Sequence, residues 1–345
     1  MTNRDELLPV RDDLQRIDGH DWGRRSVRWT GVRSRVVSVS GRRGHLMRIE
    51  AEPGVPPGAS VHLLIAPMGM GGWSWIDVMR PLAAFGPVVA PDLPGSGWTR
   101  PRRGATDAEG SARFVSDLME ALGLERAVVH GYSGGALVAL LLADLAPARV
   151  ERLVLVAPPI AAVPETGVRR RRWQLLGRLA LWVAPPVLRL IARASIRAMA
   201  AVWRRWREDP SDPGLARIIG RVGGDPRRIS PEMIDLVLDE LDGFRAFPWR
   251  SDSGVMGWIS AARAMTVGQR AVGEAVDRVS VPTLLVWGDQ DRVIPRVIMD
   301  DLVARRPDWS LHVLESVGHL PPWEVPDVYA AAVGRWLSVT GKGAR

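Results

Sequence analysis

Residues 130–135 read HGYSGG, and their neighbours decide how the chain folds. Ala127-Val128-Val129 comes before them, short and β-prone. Ala136-Leu137-Val138-Ala139-Leu140-Leu141-Leu142-Ala143 comes after, apolar and of helical length. A serine between glycines therefore stands at the joint of a buried strand and a buried helix. Gly131-Tyr132-Ser133-Gly134-Gly135 matches Gly-x-Ser-x-Gly. Small residues are needed where strand and helix approach closely, and so tight a turn holds its central residue in a strained conformation. The Ser133 hydroxyl is lifted out at the carboxyl edge of the sheet. The helix N-terminus beneath it offers free N–H groups and a partial positive charge. The pentapeptide alone is a weak signal; a strand directly before it and a helix directly after it make it a strong one.

Working outward, the same rhythm continues. Residues 36–40 and 45–50 alternate in polarity around Gly41-Arg42-Arg43-Gly44 and read as a hairpin. Residues 61–66, 87–90, 127–132 and 152–157 read as further strands, with helices over 106–122 and 134–145. Strands resume at 283–287 and 310–315, with helices near 261–277, 295–305 and 327–337. Near-continuous apolar strands alternating with helices predict an α/β fold with a mainly parallel sheet covered on both faces. Residues 160–255 interrupt the rhythm with an Arg- and Trp-rich, helical pattern. The expected organisation is a polar N-terminal arm over 1–34, a core formed by 35–159 and 256–345, and a helical cap inserted between the two core parts.

A serine hydroxyl is a poor nucleophile at neutral pH; it needs a base, and the base needs an orienting acid. Trp287-Gly288-Asp289-Gln290-Asp291 follows the seventh strand, and Val317-Gly318-His319-Leu320-Pro321-Pro322-Trp323-Glu324 follows the eighth. Of the six histidines, His62 and His312 lie inside strands, His45 in the hairpin, His20 in the N-terminal arm, and His130 just before the turn. His319 sits in a Gly-flanked loop directly after the last strand.

Four motifs carry a resemblance to the α/β-hydrolase fold: Met68-Gly69-Met70, Asp92-Leu93-Pro94-Gly95-Ser96-Gly97, the serine turn, and the late Asp-then-His pair. It covers roughly 35–160 and 260–340. The resemblance implies an eight-stranded sheet with a helical cap at 160–255. It implies a triad of Ser133, Asp291 and His319, with the acid three residues after Gly288. Asp289 is the competitor and is read as bonding to loop backbone N–H groups. For the oxyanion hole, the resemblance implies the Gly134 and Met70 amides, although Met68 replaces the histidine usual in this fold. Met68, Gly69, Trp73, Tyr132 and Trp323 are expected to line an apolar pocket, which favours acyl or aromatic groups. Carboxylic-ester hydrolysis is the expected activity. Thioester, amide or C–C bond hydrolysis, cofactor-free haloperoxidation, and ligand binding without turnover are the alternatives. Serine at the turn argues against epoxide hydrolases and dehalogenases of this fold, which use aspartate there.

The 345-residue chain has no cysteine, so disulfides and thiolate chemistry are excluded. No metal or organic cofactor is expected. No signal peptide and no apolar run of membrane-spanning length stands out, so a cytoplasmic location is expected. The formal net charge is +8. Residues 160–210 hold eleven arginines against Glu165, Glu208 and Asp209, which accounts for that whole excess. Residues 187–205, VLRLIARASIRAMAAVWRR, form a basic amphipathic pattern. The preferred reading is a cap helix with its arginines in water. The alternative is a peripheral contact with anionic membrane through 169–207, with Trp173, Trp182, Trp203 and Trp206 as anchors. No nucleic-acid partner is expected.

Overall fold

Alternate side chains of the central strands point into two different cores. The computed structural model describes residues 13–101, 106–160, 190–191, 194–221, 223–246, 254–255, 259–260 and 269–340. Its strands are β1 Arg33–Val39, β2 Arg42–Ile49, β3 Val61–Ile65, β4 Val88–Pro91, β5 Ala127–Tyr132, β6 Val150–Val156, β7 Thr283–Gly288 and β8 Ser310–Leu314. Leu64, Val128, Val154 and Val286 face one core, and Leu63, Val129, Leu155 and Leu285 face the other. Burial on both sides is why these strands read as unbroken apolar runs.

The strands form one eight-stranded sheet in the order β1-β2-β4-β3-β5-β6-β7-β8. The β1–β2 and β2–β4 pairs are antiparallel; the pairs from β3 onward are parallel. Helices Ala108–Ala121, Gly134–Leu145, Gln269–Arg278 and Arg296–Arg305 pack on one face. Helices Ile76–Ala83 and Pro326–Thr340 cover the other, joined by helices from the inserted segment. Gly134–Leu145 is apolar nearly all round and almost wholly buried, as its sequence demands.

The segment expected to be a polar arm is in part core. Trp22 and Trp29 are buried. Trp29 Nε1 donates to Asp77 at 2.7 Å, and Trp22 Nε1 donates to the Ser34 hydroxyl at 3.0 Å. Charges alternating along this stretch mask two large apolar side chains. The inserted segment joins the same cluster. Trp203 and Trp206, on the helical stretch 194–208, are buried against it rather than free to anchor in lipid. Arg204 and Arg207 of that helix pair with Asp242 and Asp235. This part of the membrane reading is therefore corrected. Trp173, Trp182 and the arginines at 169–172, 178, 189 and 193 lie outside the described residues. Among the described residues, no helix is long and apolar enough to cross a membrane.

Two histidines are locked inside. His62 Nδ1 lies 2.9 Å from His130 Nε2, and His130 Nδ1 lies 2.7 Å from the Tyr329 hydroxyl. Burial lowers the His62 pKa from 6.5 to about 4. It takes His130 well below its ordinary value, with the charge of His62 adding to the effect. Both rings stay neutral in the fold, whereas the unfolded chain protonates them. The unfolded state therefore binds more protons in this window, and stability falls as pH drops from 6.5 towards 4. Urea unfolding should show a loss of roughly 3 kcal/mol from His62 across that range, and a shallower slope in His62→Asn. A flat stability profile there would contradict the assignment.

Candidate active site

The turn after β5 is built by steric demand. Ser133 has φ 50 and ψ −122, a conformation rare for a residue with a side chain. Its N–H donates to Val156 O at 2.8 Å, tying the turn to β6. A Cβ on Gly131 would lie 2.5 Å from Ala136 Cα, and one on Gly135 would lie 2.4 Å from the Ile65 and Ala66 carbonyl oxygens. Only glycine fits either place. The Ser133 side chain is half-buried, at the N-terminus of helix Gly134–Leu145.

The structure brings together the three side chains expected of the triad. His319 Nε2 lies 3.1 Å from Ser133 Oγ, and His319 Nδ1 lies 2.8 Å from Asp291 Oδ2. Asp291 and His319 are both buried. Asp291 Oδ1 accepts the Val293 and Ile294 amides at 2.7 and 2.9 Å, so one oxygen is fixed by its own loop and the other faces the imidazole. Asp289 is exposed, and its backbone N–H donates to Leu314 O. The bonding to loop amides expected of Asp289 is made by Asp291. Gly288 lets the two loops meet, since a Cβ there would lie 2.3 Å from Val317 O.

A second Ser–His–Asp line exists elsewhere. Ser34 Oγ lies 2.9 Å from His45 Nε2, and His45 Nδ1 lies 2.7 Å from Asp92 Oδ2. It has the same residue types in the same order. Ser34 has zero exposure, however, and already accepts the Trp22 indole N–H. Asp92 also receives the Gly72 and Trp98 amides, each at 2.7 Å. This second line is a buried brace for the loops beside Ser133. Access and backbone geometry, not residue identity, separate the two.

The Met70 amide expected in the oxyanion hole is engaged in a turn. The Met70 N–H donates to Pro67 O at 2.9 Å, and Gly69 between them has φ 88. This is a turn with the left-handed residue in third place, and its closing bond occupies the Met70 amide. The Met68 backbone lies beside the start of the helix after Ser133: a Cβ built on Gly134 would lie 3.2 Å from the Met68 nitrogen. Among the described residues, the Met68 amide has no acceptor. The signal was present in Pro67-Met68-Gly69-Met70, where glycine at the third turn position marks which amide is consumed.

Of the expected pocket residues, Trp73, Tyr132 and Trp323 are buried, and Met68 and Gly69 are half-buried. The Tyr132 hydroxyl donates to His319 O at 2.7 Å. Burial raises its pKa well above the ordinary value, and the charges of Asp291 and Glu324 raise it further, so it remains a donor. Trp323 packs on Trp73 with ring centroids 5.7 Å apart, and its indole N–H donates to Ser74 O at 2.8 Å. A cavity of about 440 Å³ has Arg217, Gly223, Arg292, Gly318 and Glu324 in its wall. None of the five expected pocket residues lines it. Among the described residues, no cluster of His, Asp and Glu could hold a metal ion.

Residues 62–326 match the family model described as the alpha/beta hydrolase fold, and the chain belongs to that family. It is an enzyme of the α/β-hydrolase class. One relative is named 2-hydroxy-6-oxo-6-phenylhexa-2,4-dienoate hydrolase, from Burkholderia cepacia. It is 26% identical over 268 residues, which are 76% of this chain and 81% of the relative. A solved hydrolase of the same name from Rhodococcus sp. strain RHA1 superposes with a TM-score of 0.60 at 21% identity, over 88% of this chain and 97% of that one. A thermophilic esterase from Thermogutta terrifontis superposes with a TM-score of 0.59 at 20% identity, over 89% and 98%. These superpositions speak for the fold.

The steric reading of the turn is testable. Gly135→Ala should cost about 1–3 kcal/mol or more in urea unfolding, because the new methyl meets the Ile65 and Ala66 carbonyls. A variant as stable as the parent would contradict it.

Proposed function

We propose that this enzyme hydrolyses carboxylic esters bearing an apolar acyl or aromatic group, through an acyl-enzyme on Ser133. The observation that carries this reading is the continuous hydrogen-bonded line from Ser133 Oγ through His319 to Asp291. Such a line supplies a nucleophile, a base and a group that keeps the imidazole in one tautomer. Met68, Met70 and the tryptophans give the surroundings their apolar character.

Ser133 Oγ bonds to the ester carbonyl carbon while its proton passes to His319 Nε2. The Asp291 carboxylate stabilises the imidazolium. The Gly134 and Met68 amides receive the developing oxyanion. Collapse breaks the ester C–O bond, and His319 gives its proton to the departing alcohol. Water then bonds to the acyl carbon and loses a proton to His319; the bond from that carbon to Ser133 Oγ breaks, His319 returns the proton to Oγ, and the carboxylic acid leaves. The inserted segment acts as a cap in this reading. A Cβ on Gly69 would lie 2.6 Å from Gly254 Cα, so the cap lies directly on the oxyanion loop.

A second reading is favoured by the names of the relatives: C–C bond hydrolysis of a 6-oxo-dienoate, whose ketone carbon offers the same electrophile. A series of p-nitrophenyl esters of increasing acyl length, set beside such a ketone, separates the two. Ser133→Ala should abolish turnover of either class.

Met68→Pro is the sharper test. Proline suits the second position of this turn and leaves its closing bond intact, yet removes the proposed oxyanion donor. The kcat should fall by about 10²–10³ with the fold retained. An unchanged kcat would remove Met68 from the mechanism.

A further inference from the structure

Glu324 is a buried carboxylate that the proposed reaction does not use. It stands at the end of the short helix Pro321–Glu324 and is 5% exposed. Its oxygens face inward to backbone amides on both sides of His319. Gly318 N–H reaches Oε1 and Oε2 at 3.1 and 3.2 Å, and Leu320 N–H reaches Oε1 at 3.2 Å. A third amide, Asp225 N–H, comes from the inserted segment and reaches Oε2 at 3.1 Å.

The same two stretches meet again one residue away. His319 N–H donates to Gly223 O. A Cβ on Gly318 would lie 2.2 Å from that oxygen, so the backbones are in direct contact. His319 is thus held at its carbonyl by Tyr132, at its amide by Gly223, and at both flanking amides by one carboxylate.

Maintaining this carboxylate is costly. Burial pushes its pKa up, and the Asp225, Gly318 and Leu320 amides, with the Arg228 charge, pull it back. A buried charge of this kind is weak evidence for stability, since an apolar side chain of similar volume often does as well. What only a doubly accepting group supplies is simultaneous alignment of amides from two separate stretches of chain.

We propose that Glu324 is a positioning residue that fixes the His319 loop and keys the segment Gly223–Asp225 to it, so that base orientation depends on where the inserted segment sits. The proposal rests on the reading of His319 as the base. The geometric reason for the effect is that a small displacement of a reacting group is amplified in rate. Glutamine at 324 presents one oxygen and one NH₂, so it cannot accept all three amides, and its own donors oppose them.

The test compares the full-length wild type with Glu324→Gln and Glu324→Asp by two readouts. The first is the low-field proton NMR signal of the His319–Asp291 hydrogen bond, which needs no substrate. The second is kcat and KM for p-nitrophenyl acetate. The Gln variant should shift or lose the low-field signal. Its kcat should fall by about tenfold to a hundredfold, with KM within about twofold. The Asp variant, which keeps the charge but sits one methylene short, should lie between, and carries the test should the Gln variant fail to fold. A lower melting temperature with the low-field signal and kcat both unchanged would overturn the proposal, leaving Glu324 a structural residue. Loss of the signal in a protein whose wild type turns over no ester would uphold the positioning role and count against ester hydrolysis alone.

Discussion

The site depends on one backbone conformation that the chain would not adopt alone. Ser133 at φ 50 stores strain of about 1–3 kcal/mol, which the surrounding sheet must impose. Imposing it takes the hydrogen bond from Ser133 N–H to Val156 O and the contact of two glycines with neighbouring backbone. β5 therefore has to lie between β3 and β6, with helix Gly134–Leu145 pressed against the β3 end. The parallel order of the sheet, the apolar run after the serine and the glycine spacing answer the same demand. Once met, the demand places a hydroxyl where a helix N-terminus and the two late loops converge.

Those late loops are held chiefly by side chains bonded to backbone groups. Asp291 is anchored by two amides of its own loop, and the His319 loop by Tyr132, Glu324 and the Gly223 carbonyl. The Ser34–His45–Asp92 line shows what the same residue types do without this arrangement. There the serine lies in an ordinary strand, its hydroxyl already accepts an indole N–H, and the whole set braces loops. Triad chemistry is a property of access and aim.

Much of this was legible in the sequence, for definite reasons. Strands buried on both faces leave continuous apolar runs, so β3, β5 and β7 were readable to within a residue or so at their ends. The serine turn was legible because Gly131 and Gly135 record close contacts. The choice of Asp291 over Asp289 came from the resemblance; the residues alone supplied two aspartates in one loop. Trp22 and Trp29 were hidden because burial there is irregular, without strand or helix periodicity to expose it. Trp203 and Trp206 lie three apart on a basic helix, a spacing that fits an inner face as well as a lipid-facing one. Met70 was expected as a donor because the resemblance places one after the glycine of this loop, whereas the turn closed by Pro67 and Met70 engages that amide. Glu324 gave no signal, since three amides converge on it only after the inserted segment is in place.

We propose that, among the serines of the described residues, Ser133 is the one both accessible and activated. Mass spectrometry of the protein digested after treatment with a fluorophosphonate tests it most directly. The account predicts a single adduct on the peptide spanning residues 127–149, in which Ser133 is the only serine. An adduct on Ser34 or any other serine, with that peptide unmodified, would contradict it.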